Sequence, residues 1–195
     1  MDKIPSRTLW LQSFTLLWMT LEVSVAAFSA ASSHSPALLA FGSDSLVELL
    51  SAVVVLLPWL TKSSIPERLS GRLTGILLFV LALVVVLTAA LSLALRRPPE
   101  PSRPGIAITL AALLVMPALA ALKRREAHNT GNIALSADAI QSATCAWIAL
   151  LALLGLAVNA LFHIPWFDSV AAVAIVPLLI REGRAAIKGE TCGCI

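Results

Sequence analysis

The sequence predicts an all-α fold: a polytopic membrane protein built as a bundle of six transmembrane helices. Three observations predict it. Hydrophobic residues make up 58% of the 195-residue chain and charged residues only 13%, about half the charged share of ordinary soluble domains. Apolar runs of spanning length recur from one end of the chain to the other. Lys and Arg gather in the segments between alternate runs.

The runs come in order. Residues 8–33 carry a single acid, Glu22; residues 36–61 carry Asp44 and Glu48. Residues 73–95 and 105–122 carry no charge at all. Residues 133–162 carry only Asp138, and residues 166–180 carry only Asp168. The last helix is expected to run on to about Ile187, with Arg181 and Arg184 reaching the membrane edge. Each run is long enough, or nearly so, to cross a hydrocarbon core of about 30 Å at about 1.5 Å per residue. Unbroken runs of this length exclude the alternating strands of a membrane barrel. One transmembrane domain over residues 1–188 is expected, followed by a short cytoplasmic tail, 189–195, that holds Cys192 and Cys194.

With six spans and both termini cytoplasmic, eleven of the fourteen Lys and Arg residues fall inside. They are Lys3, Arg7, Lys62, Arg68, Arg72, Lys123, Arg124, Arg125, Arg181, Arg184 and Lys188. This bias fixes the orientation by the positive-inside rule. It also accounts for the net charge of +3 without a nucleic-acid partner, since these cations face lipid headgroups. No phosphate loop, nucleotide fingerprint or nucleophile–base–acid set occurs, which argues against an enzyme. No permanently bound cofactor is expected. His34, His128 and His163 fall in loops or at helix edges, away from mid-membrane.

The acids inside the predicted spans carry the chemistry. A carboxylate at the bilayer centre costs at least about 2.5–3.5 kcal/mol, so such residues face protein or water and mark pathways. Asp44 and Glu48 are four apart and project from one helix face. Residues 37–48 and 134–145 align without gaps, matching at two Ala positions, one Leu and one Ser. The alignment lays Asp44 over Gln141 and Glu48 over Cys145. Both pairs lie in the middle third of a core about 30 Å thick. If the two helices are neighbours, Asp44, Glu48, Gln141 and Cys145 converge where transporters commonly bind substrate. Sulfur with carboxylate favours Zn-like or softer ions over Mg or Ca.

Glu22 is expected to act in a pathway or in proton coupling, or else to make a buried hydrogen bond. Asp138 shares the Gln141 face nearer the cytoplasm and serves an access path or a helix N-terminus. Asp168 is expected to cap the last helix. Cys192 and Cys194 are expected to handle metal, to be lipidated, or to lie in a plain tail.

The run Leu38-Leu39-Ala40-Phe41-Gly42-Ser43-Asp44-Ser45-Leu46-Val47-Glu48 resembles the helix-2 motif of the cation diffusion facilitators, with Asp44 and Glu48 at ligand positions. Ala137-Asp138-Ala139-Ile140-Gln141-Ser142-Ala143-Thr144-Cys145 resembles the helix-5 motif, with Gln141 and Cys145 in place of the usual His and Asp. Trp166-Phe167-Asp168-Ser169 is similar to the family's start of helix 6. The chain ends too soon for the cytoplasmic metal-binding domain of many members, and so resembles a short branch with the membrane domain alone. The resemblance implies metal export from the cytoplasm in exchange for protons, by a homodimer, most simply in the plasma membrane. Two other functions fit the residues: a proton-coupled organic-cation exporter that uses Glu22 beside Trp10, Phe14 and Trp18, and a membrane metal sensor that transports nothing.

The orientation is testable. A cysteine introduced within residues 32–35 should react with impermeant reagent added from outside intact cells. Labelling there only from the cytoplasmic side would contradict it.

Overall fold

The computed structural model describes residues 6–60, 67–95, 99–131 and 133–188. Six α-helices form one bundle: α1 (Ser6–Ser33), α2 (Pro36–Leu60), α3 (Glu67–Ala94), α4 (Arg103–Thr130), α5 (Ile133–Phe162) and α6 (Trp166–Lys188). Among the described residues four stretches are long and apolar enough to cross a membrane: Arg7–Ser33, Gly75–Ala94, Arg103–Thr130 and Leu135–Phe162.

The bundle is amphipathic in the reverse of the soluble sense. On α1 the buried face holds Thr8, Gln12, Thr15, Glu22, Ser29 and Ser33, while Leu9, Trp10, Leu17 and Phe28 are exposed. Leu17, Leu114 and Leu161 are each at least 70% exposed. Only a lipid solvent makes such a surface favourable, because lipid cannot hydrogen-bond the groups turned inward.

The helix ends follow from local chemistry. Ser102 caps α4 by accepting a hydrogen bond from the Gly105 amide at 3.1 Å, and a proline opens its first turn. Gly131, at φ 65°, closes α4 in the left-handed region that glycine enters freely. His34 and His163 close α1 and α5 at φ 52° and 55°. Sequence alone ends the fourth helix near Leu122; the structure carries it to Thr130. The reason is the buried stripe Ile108–Ala112–Met116–Leu119–Lys123–Ala127, which keeps helical spacing past the apolar run.

Three turns share one end of the bundle. The Glu100 amide donates to the Ser33 carbonyl at 2.9 Å, and Asn159 Nδ2 donates to the Pro99 carbonyl at 2.8 Å. The start of α1 lies at the opposite end, where Thr8 Oγ1 donates to Glu126 near the end of α4. So α1 and α4 run in opposite directions. They also have equal length, 28 residues. Ser6 to Arg103, Ser33 to Thr130 and Pro36 to Ile133 are all separated by 97 residues, the offset at which the two sequence motifs align. Each of α1, α2 and α3 packs against its counterpart α4, α5 and α6. The fold is therefore an inverted pair of three-helix repeats.

The α3–α6 contact depends on glycine. A Cβ at Gly75 would fall 2.6 Å from the Gly183 carbonyl oxygen and 2.5 Å from Ile187 Cγ1. Gly75 and Gly183 thus supply a backbone-to-backbone approach between the two helices. Gly75→Val should lower stability by about 1–3 kcal/mol, the usual cost of overpacking. Thermal unfolding of the detergent-solubilised protein checks this, with the exposed Leu83→Ala as a control that should change little.

Candidate functional site

The inner face of the bundle carries a file of polar side chains from one end to its middle. Along α1 it runs from Thr8 to Glu22, 14 residues or about 21 Å. Thr8 bonds Glu126 at 3.2 Å. One turn deeper, Gln12 Nε2 donates to Asp138 Oδ2 at 2.8 Å. Beyond the file, towards the turn end, Leu38, Phe41, Ala37, Ala40, Ala149, Ala152 and Leu156 are almost wholly buried, together with the polar residues Ser29, Ser35, Asn159 and Asp168.

At mid-bundle the structure gathers Glu22 of α1, Asp44 and Glu48 of α2, and Cys145 of α5, all buried to within 1%. Glu22 accepts hydrogen bonds from Ser45 Oγ at 2.5 Å, Trp18 Nε1 at 2.6 Å and Cys145 Sγ at 3.6 Å. The sequence leaves Glu22 standing alone, whereas here it joins the set through α2 and α5. Trp10 and Phe14, by contrast, are exposed and stack on each other at 5.7 Å. They do not wall a cavity around Glu22.

Asp44 is the unusual member. Both its carboxylate oxygens are buried, and the groups close enough to hydrogen-bond it are the Cys145 thiol and the Glu182 carboxyl. Its electrostatic neighbours are Glu182 of α6, Glu48, Cys145 and Glu22. Glu182 also approaches Thr144, and its Oε2 is buried without a partner.

Glu48 leads into a charged layer. Lys123 is fully buried, and its Nζ lies 3.4 Å from Glu48 Oε1 and 3.0 Å from Asp138 Oδ2. Nζ also donates to Ser142 Oγ at 2.8 Å, and Ser142 in turn donates to Glu48. Glu48 Oε2 and Asp138 Oδ1 have no hydrogen-bond partner.

The sequence-derived residues therefore separate. Asp44, Glu48, Cys145 and Glu22 come together, and Asp138 joins through Lys123. Gln141 is half-buried, and among the described residues no hydrogen bond ties it to the others. Its neighbour Ser142 is the residue that reaches Glu48. Among the described residues no group of three or more His, Cys, Asp or Glu side chains is arranged so that it could hold a metal ion as it stands. Cys192 and Cys194 lie outside the described residues.

Two residues read differently from the sequence. Lys123 is not a loop cation; it sits on the buried stripe of α4, four residues after Leu119 and seven after Met116, and that spacing is its signal. Asp168 does not cap α6. Its carboxylate accepts from Ser35 Oγ at 2.8 Å and from the Ala37 amide at 3.2 Å, so it caps α2 from across the bundle.

The cation efflux transmembrane domain matches residues 13–189. The chain belongs to the cation efflux family. It is an integral, multi-pass membrane protein of a family that transports cations, and the match covers every helix that contributes to the buried cluster. Among curated proteins none matches the chain.

The role of Asp168 is separable from that of the cluster. Asp168→Ala should lower the stability of the purified protein by about 1–2 kcal/mol, the usual cost of losing a helix cap. A melting curve unchanged from that of the parent would contradict the cap.

Proposed function

We propose that this protein exports a divalent transition metal, Zn-like or softer, from the cytoplasm in exchange for protons. The observation that carries the proposal is Asp44, a buried carboxylate with no cation beside it among the described residues, whose close polar neighbours are other acids and a thiol. A buried unpaired carboxylate is costly. It becomes favourable when a cation binds beside it, and the neighbours Glu48, Cys145 and Glu22 supply further anionic or soft donors.

Asp44, Glu48 and Cys145 are the ligands in this account, with Gln141 as a weaker oxygen donor that turns inward when metal binds. Glu22 and Asp138 serve the pathway and proton coupling. Protons compete with metal for the same groups, because a carboxylate or thiol must be deprotonated to ligate. That competition is the physical basis of exchange. Six spans, cytoplasmic termini, a homodimer and the plasma membrane complete the proposal. Cys192 and Cys194 are candidates for passing metal at the cytoplasmic end.

Flux in liposomes tests it. The purified protein should carry Zn or Cd saturably, with the flux driven by an imposed proton gradient. Asp44→Asn and Glu48→Gln should each reduce it at least about tenfold. Saturable flux of organic cations without metal flux would favour the Glu22 exporter, and binding without any flux would favour a sensor.

Cys145 should set the choice of metal. Thiolate is softer than carboxylate, so Cys145→Asp should shift preference from Cd towards harder ions such as Mn. Competitive binding of Zn, Cd and Mn checks this. An unchanged order in the folded variant would remove Cys145 from the coordination shell.

A further inference from the structure

Lys123 is a basic side chain placed where a metal transporter gains least from one. Its ammonium lies in the protein interior, within 3.4 Å of Glu48, a proposed ligand. The adjacent Arg124 and Arg125 are exposed, as cations at a membrane boundary normally are. Lys123 occupies the buried stripe instead, and three polar atoms hold it there: Glu48 Oε1, Asp138 Oδ2 and Ser142 Oγ.

We propose that Lys123 is a tethered cation that competes with the transported metal for Glu48, and so sets how tightly the site holds its cargo. This rests on the metal reading of Asp44, Glu48 and Cys145. It adds a residue on α4, outside both sequence motifs, that limits affinity.

The arrangement supports competition in three ways. Glu48 presents one oxygen to the ammonium and Ser142 and keeps the other unpartnered, so it is half engaged. Asp138 lies nearer the ammonium, at 3.0 Å against 3.4 Å, and it too has an unpartnered oxygen. The ammonium thus has a second carboxylate to move onto when metal arrives at Asp44 and Glu48. Gln12, on α1, holds Asp138 in place for that exchange through its 2.8 Å hydrogen bond. Two cations sharing one carboxylate in a low-dielectric interior repel strongly. Metal entry therefore drives Lys123 towards Asp138, and metal release lets it return to Glu48. A transporter gains from this, because a site that binds too tightly does not unload.

The test is Cd2+ binding by calorimetry on the full-length protein in detergent, with Cys192→Ser and Cys194→Ser present throughout to silence the tail. Lys123→Met removes the competitor and should tighten Cd2+ binding at least about tenfold. Asp138→Asn removes the alternative partner, holds the ammonium on Glu48, and should weaken binding at least about threefold. Both variants touch the same ion pair, yet the predicted changes have opposite sign. A merely structural role for Lys123 predicts loss in both. A folded Lys123→Met with unchanged or weaker affinity overturns the inference. If that variant fails to stay monodisperse, Asp138→Asn decides, and equal or tighter binding there overturns it. Cd2+ binding by wild type that neither substitution alters overturns this inference alone. No binding by either wild type or Lys123→Met overturns the metal reading of the site and the inference with it.

Discussion

A charge in the interior of a membrane bundle must be paired or must meet a mobile partner. Here, among the described residues, six buried acids and one buried lysine test that constraint. Lys123 stands between Glu48 and Asp138, with Ser142 bridging and Gln12 buttressing. Removing one member of such a buried pair usually costs about 3–5 kcal/mol, because the other is left uncompensated. The pair thereby ties α2, α4 and α5 to one relative position. What it leaves over is Asp44, without a cation of its own among the described residues, beside the buried Cys145 thiol and the Glu182 carboxyl.

The repeat explains how the parts meet. Inverted halves bring α2 and α5 together in opposite directions, so residues at matching positions lie at mirrored depths and meet where both are close to the middle. Ser45 and Ser142, which match in the repeat, behave alike, each donating to a buried acid: Ser45 to Glu22 and Ser142 to Glu48. The halves differ where chemistry demands it. Asp44 and Glu48 are answered by Gln141 and Cys145, and Lys123 of α4 has Ala26 as its counterpart on α1, at the same offset of 97. The asymmetry extends along the bundle axis. The polar file that reaches the cluster from one end carries Gln12, Asp138 and Lys123, whereas towards the other end the buried Leu38, Phe41, Ala149 and Leu156 pack beside the Asp168–Ser35 pair.

Most of the fold is legible in the sequence because lipid makes a strong demand. Spanning runs must be apolar throughout, and their lengths and separations are visible without any contact information. Asp44, Glu48 and Cys145 are legible for a related reason: ionisable or soft groups are rare inside spans, and the repeat aligns them. The rest depends on facing. Composition assigns Lys123 to a loop, since it opens a Lys-Arg-Arg run; only its helical register with Leu119 and Met116 places it inward. Gln141 and Ser142 are neighbours, and a shift of one residue around the helix decides which reaches Glu48. Glu182 lies beyond the apolar run 166–180, between Arg181 and Arg184, and only the packing of α6 brings it to Asp44. Asp168 looks like a local cap because sequence shows only its own helix, while its partners Ser35 and Ala37 lie more than a hundred residues away.

The central claim is that a transported metal binds at Asp44, Glu48 and Cys145. X-ray absorption at the metal edge tests it most directly, on Cd- or Zn-loaded full-length protein with Cys192→Ser and Cys194→Ser. The account predicts a mixed shell of one sulfur with oxygen donors, and loss of the sulfur shell in Cys145→Ser. A shell without sulfur in the protein that retains Cys145, or a sulfur shell that survives Cys145→Ser, would contradict it.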